Sequence, residues 1–139
     1  MSITWKPGVL PQVIKALNEP GTFRTKMMKA LGEEVLKLIQ EEFNTRADPW
    51  RRAWAETQRP NPILEDTGRL RRSFRMESGP RTFRVYNATP YASFHQYGTR
   101  RLVSRKMIPD STTSTELPRH WSEALGKVMV KRAKEWLTP

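Results

Sequence analysis

Residues 22–46 read TFRTKMMKALGEEVLKLIQEEFNTR, and an apolar side chain returns at every fourth position of this stretch. The repeating positions are Phe23, Met27, Leu31, Val35, Ile39 and Phe43. This period places them on one face of an α-helix. Thr22 is suited to cap the first turn, and Asp48 precedes a proline, which disfavours helical geometry. We therefore predict a helix of about 37 Å from Thr22 to Arg46 that forms the main element of the core.

Helical patterns also occur on either side of this stretch. Pro7–Asn18 is predicted to form a short amphipathic helix, so that N-terminal helices cover residues 7–46. Trp50–Thr57 is predicted to form a short turn of helix. The C-terminal helix is predicted from Pro118 to Leu137. One stripe of this helix is expected to carry Trp121, Leu125, Val128, Arg132 and Trp136. Gly32 has no side chain, which would allow a neighbouring element to approach the long helix closely.

The segment 63–108, which lies between these helices, is predicted to supply a small sheet. Phe74–Ser78 and Thr82–Asn87 have the composition of paired antiparallel strands around a Gly-Pro turn. In this register Phe83 and Val85 face the core. Leu102–Ile108 is predicted to be a third strand.

Two short helices are predicted within the same segment. Thr67 is expected to cap one that runs to Phe74, and the other runs from Pro90 to Tyr97. Gly68 and Gly98 are expected to serve backbone geometry at the entry to the first and the exit from the second. Residues 1–139 are thus predicted to form a single α+β domain. The long amphipathic helix and the C-terminal helix would pack on the small antiparallel β-sheet.

Composition excludes several classes of protein. The chain has no cysteine, so disulfides and thiolate metal sites are excluded, and only His95 and His120 could supply imidazole ligands. No apolar run approaches the roughly 18 residues that a membrane span needs. The N-terminus lacks the apolar region of a signal peptide. We expect a protein that is made in the cytoplasm and has no membrane partner.

Positive charge is concentrated in one part of the chain. From Thr67 to Lys106 there are ten basic residues and one acid, Glu77, so this segment holds +9 of the net charge of +11. Nine of the ten are arginine, which favours planar contacts to phosphate or carboxylate. We expect this surface to meet a polyanion or an acidic protein, and a solvated face that only aids solubility is the alternative. The candidate DNA- or partner-facing residues are Arg69, Arg71, Arg72, Arg75, Arg84, Arg100, Arg101 and Arg105.

Catalytic chemistry has little support in the sequence. Glu65, Asp66 and His95 are the only grouping that could form a metal or acid–base site. A nuclease needs carboxylates that converge on a metal, whereas adjacent side chains in an extended segment point in opposite directions. Asp66 is expected to lead a helix or to pair with an arginine, and His95 to form hydrogen bonds among aromatic residues. We expect no catalytic residue, no bound metal and no cofactor.

Two motifs remain: Ile63–Phe74 reads ILEDTGRLRRSF, and Pro90–Thr99 reads PYASFHQYGT. Together with Asp48, Pro49 and Trp54 after the long helix, they resemble the phage virion morphogenesis family, the tail-completion proteins of Mu-like contractile-tailed phages. The family patterns are I-L-x-D-T-G-x-L-x-x-S and Y-A-x-x-H-x-x-G. The residues that carry the motifs here include Asp66, Thr67, Gly68, Leu70, Tyr91, His95 and Gly98.

The resemblance implies a non-enzymatic structural protein that completes the tail or joins head to tail. It implies a homo-oligomeric ring, expected to be a hexamer, through which DNA passes with non-specific contact. The other expected partners are neighbouring neck, tail-tube or head-completion proteins. The expected location is the neck or the head-proximal end of the tail in the virion, after assembly in the host cytoplasm. The residues by themselves leave two alternatives open: a stand-alone nucleic-acid-binding protein, and a metal-dependent nuclease built on Glu65, Asp66 and His95.

Overall fold

The long helix α1 spans Thr22–Thr45 in the computed structural model, which describes residues 2–3, 22–56, 64, 68–110 and 116–137. The four-residue period is confirmed, because its central positions are almost fully buried. These positions are Met27, Leu31, Val35, Ile39 and Phe43. Met28 and Leu38 widen the buried face, as the 3.6-residue turn requires. The helix stops before Arg46, which adopts a left-handed φ of 56°.

A three-stranded antiparallel sheet lies against α1. Its strands are β1 (Ser2–Ile3), β2 (Phe74–Ser78) and β3 (Phe83–Asn87), in the order β1-β3-β2. Phe83 and Val85 are buried, as the alternation of side chains predicts. The fold is therefore α+β, and the buried apolar residues of the described ranges form one continuous cluster.

Gly32 is the point of closest approach between α1 and the sheet. A Cβ atom at this position would lie 2.7 Å from Cγ and 2.8 Å from Sδ of Met76 on β2. The prediction that Gly32 permits a close approach is confirmed. The missing side chain leaves room for the methionine to lie directly on the helix backbone.

The C-terminal helix, here α4, spans Arg119–Leu137 and packs along α1. Trp121 and Leu125 are fully buried. The inward stripe then continues through Met129 and Ala133, whereas Val128, Arg132 and Trp136 are only half-buried. At the far end, the ring of Trp136 contacts Phe23 edge to face at 6.1 Å.

The predicted helical turn over Trp50–Thr57 is wrong for the residues described up to 56. Ala47 and Ala53 form an isolated antiparallel bridge instead. One carboxylate oxygen of Asp48 accepts the backbone N–H groups of Trp50 and Arg52, each at 2.9 Å. Asp48 therefore holds a tight turn, which competes successfully with helix formation.

The predicted third strand over Leu102–Ile108 is also wrong. The third strand is β1, two residues long, which pairs Ile3 with Val85. Residues 102–108 run as irregular backbone. The backbone groups of Met107 and Ile108 bond to the side chain of Gln96, which removes their need for a strand partner.

Two short helices connect these elements. α2 spans Arg69–Arg72 and α3 spans Ala92–Tyr97, so both are shorter than predicted. Gly68 (φ 73°) and Gly98 (φ 77°) adopt the positive φ values expected of them. Gly68, rather than Thr67, occupies the N-cap position of α2, and Phe74 belongs to β2. Glu65, Asp66, Thr67 and the predicted helix Pro7–Asn18 lie outside the described residues.

Candidate interaction surface

Helix α2 is tied to α1 by the side chain of Arg71. Its Nε donates to the side-chain oxygen of Gln40 at 2.8 Å, and its Nη2 donates to Asn44 Oδ1 at 2.7 Å. In return, Gln40 Nε2 donates to the carbonyl of Arg71 at 3.1 Å. The guanidinium also lies over the ring of Phe43, 5.6 Å from its centre. Arg71 was predicted as a DNA- or partner-facing residue, and here its charge is used to fix one motif to the core helix.

The rest of the first motif forms a compact corner before β2. Leu70 is buried, and its carbonyl accepts a hydrogen bond from Asn87 Nδ2 at 2.8 Å. Ser73 Oγ donates to the carbonyl of Arg69 at 2.6 Å. The side chain of Arg72 lies against Gly68, so closely that a Cβ atom at position 68 would be 2.5 Å from Nη1 of the arginine. This arrangement anchors α2 to the end of β3 and leaves Arg69 and Arg72 exposed.

The second motif is organised by Gln96, a residue that the sequence reasoning missed. Gln96 is fully buried. Its Nε2 donates to the carbonyl of Ile108 and to Asp110 Oδ2, both at 2.8 Å. Its Oε1 accepts the N–H groups of Met107 at 2.7 Å and Ile108 at 3.2 Å. The sequence does carry one signal for this role, a glutamine among the aromatic residues of the motif. A side-chain amide has two N–H donors and a carbonyl acceptor, so it can bond to backbone N–H and C=O groups at the same time.

His95 lies beside Gln96 but does not join a cluster of metal ligands. Its ring is half-buried and contacts Tyr91 edge to face at 5.9 Å. Its carbonyl accepts the N–H of Arg105 at 2.7 Å. Among the described residues, no three of His, Cys, Asp and Glu come together as metal ligands. The alternative of a nuclease built on Glu65, Asp66 and His95 is not tested by them, since Glu65 and Asp66 lie outside the described ranges.

The remaining predicted arginines differ in how the fold uses their side chains. Arg105 donates to the carbonyls of Ala55 at 2.8 Å and Glu56 at 3.1 Å, and so joins two loops. Arg75 donates to the carbonyls of Arg72 and Phe74 at 2.8 and 3.1 Å. These guanidinium groups stabilise irregular backbone, while the Arg75 side chain stays largely exposed.

Two other arginines lie over tyrosine rings. Arg84 lies 4.7 Å from the ring centre of Tyr86 on β3, and Arg69 lies 5.8 Å from that of Tyr91. Arg84 is also 4.0 Å from Glu77 on β2. Because Arg75 is opposite Tyr86 and Glu77 is opposite Arg84 in the strand register, these side chains share the outer face of the sheet. An exposed, basic sheet face of this kind can contact phosphates without reading sequence.

Arg100 and Arg101 are exposed in the turn after α3. Within the described ranges, neither side chain has an ion pair or a hydrogen bond. Of the eight predicted arginines, these two have guanidinium groups that are fully available to a partner. The role predicted for all eight stays a prediction.

An open cleft of about 570 Å³ lies where the Asp48 turn meets the start of α4. Its lining includes Trp50, Arg51 and His120. His120 is half-buried. Its pKa is lowered, first by burial and then by the positive charge of Arg51. An imidazole in this cleft is therefore more often neutral than in water.

Glu42 on α1 is the one buried acid among the described residues, with 4% of its surface exposed. Neither carboxylate oxygen has a hydrogen-bond partner within the described part of the chain. Its pKa is raised well above the ordinary value, mainly by burial and then by Asp48 and Glu41. The fold therefore favours the neutral, protonated form of this side chain.

Comparison with known proteins assigns a family to this architecture. The phage virion morphogenesis family matches the chain over residues 9–128. No curated protein and no solved structure matches it significantly. None of the helices described is long and apolar enough to cross a membrane.

Proposed function

The chain belongs to the phage virion morphogenesis family, and from this we propose that it is a structural protein that completes the tail or joins head to tail. In this proposal it forms a homo-oligomeric ring, a hexamer, at the neck or the head-proximal end of the tail. Its neighbours are neck, tail-tube or head-completion proteins. DNA passes through the ring on its way out of the head.

The observation that carries the proposal is the family match, which includes both sequence motifs. The geometry of the motifs supports a scaffold. Arg71 and Gln96, one side chain from each motif, hold α2 to α1 and α3 to residues 107–110. Residues used in this way present surfaces at fixed positions, which is what assembly of a particle requires.

The outer face of the sheet supports contact with transiting DNA. Arg75 and Arg84 are exposed there beside Tyr86, and Arg81 is exposed in the turn between their strands. A lumen lined by these side chains would neutralise phosphates without base recognition, so DNA could slide past.

The proposal is tested by removing the gene and examining the particles. We expect a lysate without this protein to contain filled heads and tails that fail to join, or tails of abnormal length, when viewed by electron microscopy. Supplying the protein in trans should restore infectious particles. Antibody labelling should place it at the junction of head and tail. Normal particles in its absence, or virions that lack it, would refute the proposal.

A stand-alone nucleic-acid-binding protein is the second candidate, favoured by the exposed arginines of the sheet face. It predicts tight binding of DNA by the isolated protein, with a steep linear dependence of log affinity on log salt concentration. If the isolated protein does not bind duplex DNA at about 50 mM salt, this candidate is excluded. The scaffold proposal needs only weak contact, because the ring would hold DNA by enclosure.

A further inference from the structure

The turn that follows α3 is held in one conformation from both sides. Gly98 adopts φ 77°, and a Cβ there would lie 2.9 Å from the carbonyl oxygen of Leu102 and the nitrogen of Ser104. Thr99 N donates to the Leu102 carbonyl at 2.8 Å. Ser104 Oγ donates to the carbonyl of Gln96 at 2.7 Å. Residues 98–104, named the 98–104 turn below, therefore present their side chains from a fixed backbone.

Exposed apolar side chains surround this turn. Phe94 and Tyr97 on α3 are 53% and 50% exposed, and Val103 within the turn is 51% exposed. They are three of the four large apolar residues that the described ranges leave exposed, the fourth being Val130 on α4. Such residues are normally scattered over a surface, so their grouping indicates a contact site.

The two unpaired arginines lie in the same turn, between Tyr97 and Val103. Aromatic and aliphatic side chains mixed with arginine are typical of the buried centre of protein–protein interfaces. A single-stranded nucleic acid would instead require a row of aromatic platforms for its bases, and Val103 cannot serve as one. The composition therefore favours a protein partner with acidic groups.

A complementary surface is present on α1 of the same chain. Residues 33–41 read EEVLKLIQE, three acids to one lysine in a basic protein. Glu33 and Glu41 are exposed, and Glu34 is half-exposed. Within the described ranges, none of these three carboxylates takes part in an ion pair. Among the described residues, one surface thus has guanidinium groups without an ion pair, and another has carboxylates without one.

We propose that the 98–104 turn binds the Glu33–Glu41 face of α1 in a second copy of the chain. The inference rests on the ring of the proposed function and identifies the surfaces that would form it. Because the two surfaces differ, the contact is head to tail, and repeated contacts of this kind can close into a ring. The fixed backbone of the turn lowers the entropy that is lost on binding.

Charge exchange between the two surfaces tests the contact. Arg100→Glu with Arg101→Glu places acids against acids, and Glu33→Lys with Glu41→Lys places bases against arginines. Each double variant alone should associate at least about 100-fold more weakly than the natural protein, as measured by sedimentation over a concentration series. An equimolar mixture of the two should associate again, since the turn of each variant would meet the opposite charge on α1 of the other variant.

The control for the turn variant is Arg81→Glu with Lys131→Glu, which makes the same change in net charge as that variant at exposed positions elsewhere. It should associate like the natural protein, and circular dichroism should show that all variants are folded. Phe94→Ser with Tyr97→Ser, which leaves the charges unchanged, should also weaken association.

The outcomes separate this inference from the proposed function. If the natural protein forms a ring and the turn variants form it equally well, the inference is wrong while the proposed function stands. If the mixture fails to associate, or the control is weakened equally, the contact is not the one proposed. Loss of DNA binding by the turn variants with unchanged association would assign the turn to nucleic acid and overturn the inference. A natural protein that is monomeric at every concentration and absent from virions would refute the proposed function itself.

Discussion

Single polar side chains decide the path of the irregular segments in this protein. Asp48 closes a turn by accepting two backbone N–H groups. Gln96 replaces the strand partner that residues 107–108 would otherwise need. Arg71 fastens a four-residue helix that would be unstable alone. In each case the side chain satisfies backbone groups that regular secondary structure would have satisfied elsewhere.

Gln96 offers a direct measurement of such a role. We expect Gln96→Leu to lower the free energy of unfolding by about 3 kcal/mol or more, because buried N–H and carbonyl groups of residues 107 and 108 lose their partners. Urea denaturation followed by tryptophan fluorescence measures the change. The exposed neighbour Ser93→Ala should alter stability by less than about 0.5 kcal/mol. Equal stability of Gln96→Leu and the natural protein would show that the amide is not needed.

Glu42 makes stability depend on pH. Its pKa in the fold is raised above the ordinary value of 4.5, so the folded protein retains a proton that the unfolded chain releases. The free energy of unfolding should therefore fall as pH rises from about 4.5 through the raised pKa. Glu42→Gln should remove this slope and raise the melting temperature at neutral pH.

The control for this prediction is Glu41→Gln, on the exposed side of the same helix turn. It should retain most of the pH dependence of the natural protein. Thermal melts at a series of pH values compare the three proteins. A Glu42→Gln variant whose melting temperature changes with pH as steeply as that of the natural protein would contradict the assignment.

At the scale of elements, α1 is the surface on which the others assemble. It contacts α4 along one side and β2 and β3 along another. Phe43, near its end, contacts Trp54 and Phe74 edge to face at 5.3 and 6.1 Å. The apolar face of α1 has to be wide because the helix packs against both α4 and the sheet.

The contact at Gly32 can be measured against a second helical glycine. Gly126 on α4 has open space around the position of a Cβ, so Gly126→Ala should stabilise the protein by about 0.5–1 kcal/mol through helix propensity. Gly32→Ala should lose that gain or destabilise the protein, since the new Cβ would overlap Met76. Combining Gly32→Ala with Met76→Ala should recover part of the gain. Chemical denaturation measures the free energy of unfolding of each variant. Equal effects of the two glycine substitutions would disprove the close approach.

For the whole molecule, the excess of arginine serves two purposes that the sequence does not separate. Arg71 and Arg105 stabilise contacts within the fold. Arg72, Arg84 and Arg100 are exposed on different elements. The positive field is therefore a property of the assembled surface, and only part of it is available to a partner.

Substitution at α2 should separate the two purposes. Arg71→Gln should lower the free energy of unfolding by about 1–3 kcal/mol, because it removes charge-assisted hydrogen bonds to α1. Arg69→Gln combined with Arg72→Gln should lower stability less than Arg71→Gln does, since both side chains are exposed and Arg71 is only partly so. If these arginines meet a partner, the double variant should still lower the yield of infectious particles. Unchanged yield would remove Arg69 and Arg72 from the interaction surface.

Periodic features of this chain could be predicted from the sequence. The buried face of α1, the α4 helix and the β2–β3 pair follow from spacing, because regular backbone repeats the same environment at fixed intervals. The role of Gly32 follows from its missing side chain. The family could be recognised from two short motifs, because each has particular residue types at fixed separations along the chain.

Only the tertiary structure decided the remaining features. Strand β1 comes from the far end of the chain, residues 107 and 108 bond to a side chain, and Arg71 bonds to the core helix while Arg100 is exposed. Each depends on which distant groups come within hydrogen-bonding distance. Local sequence carries little record of such pairings, because an arginine or a glutamine has the same propensities whether its partner is α1, a loop or another molecule.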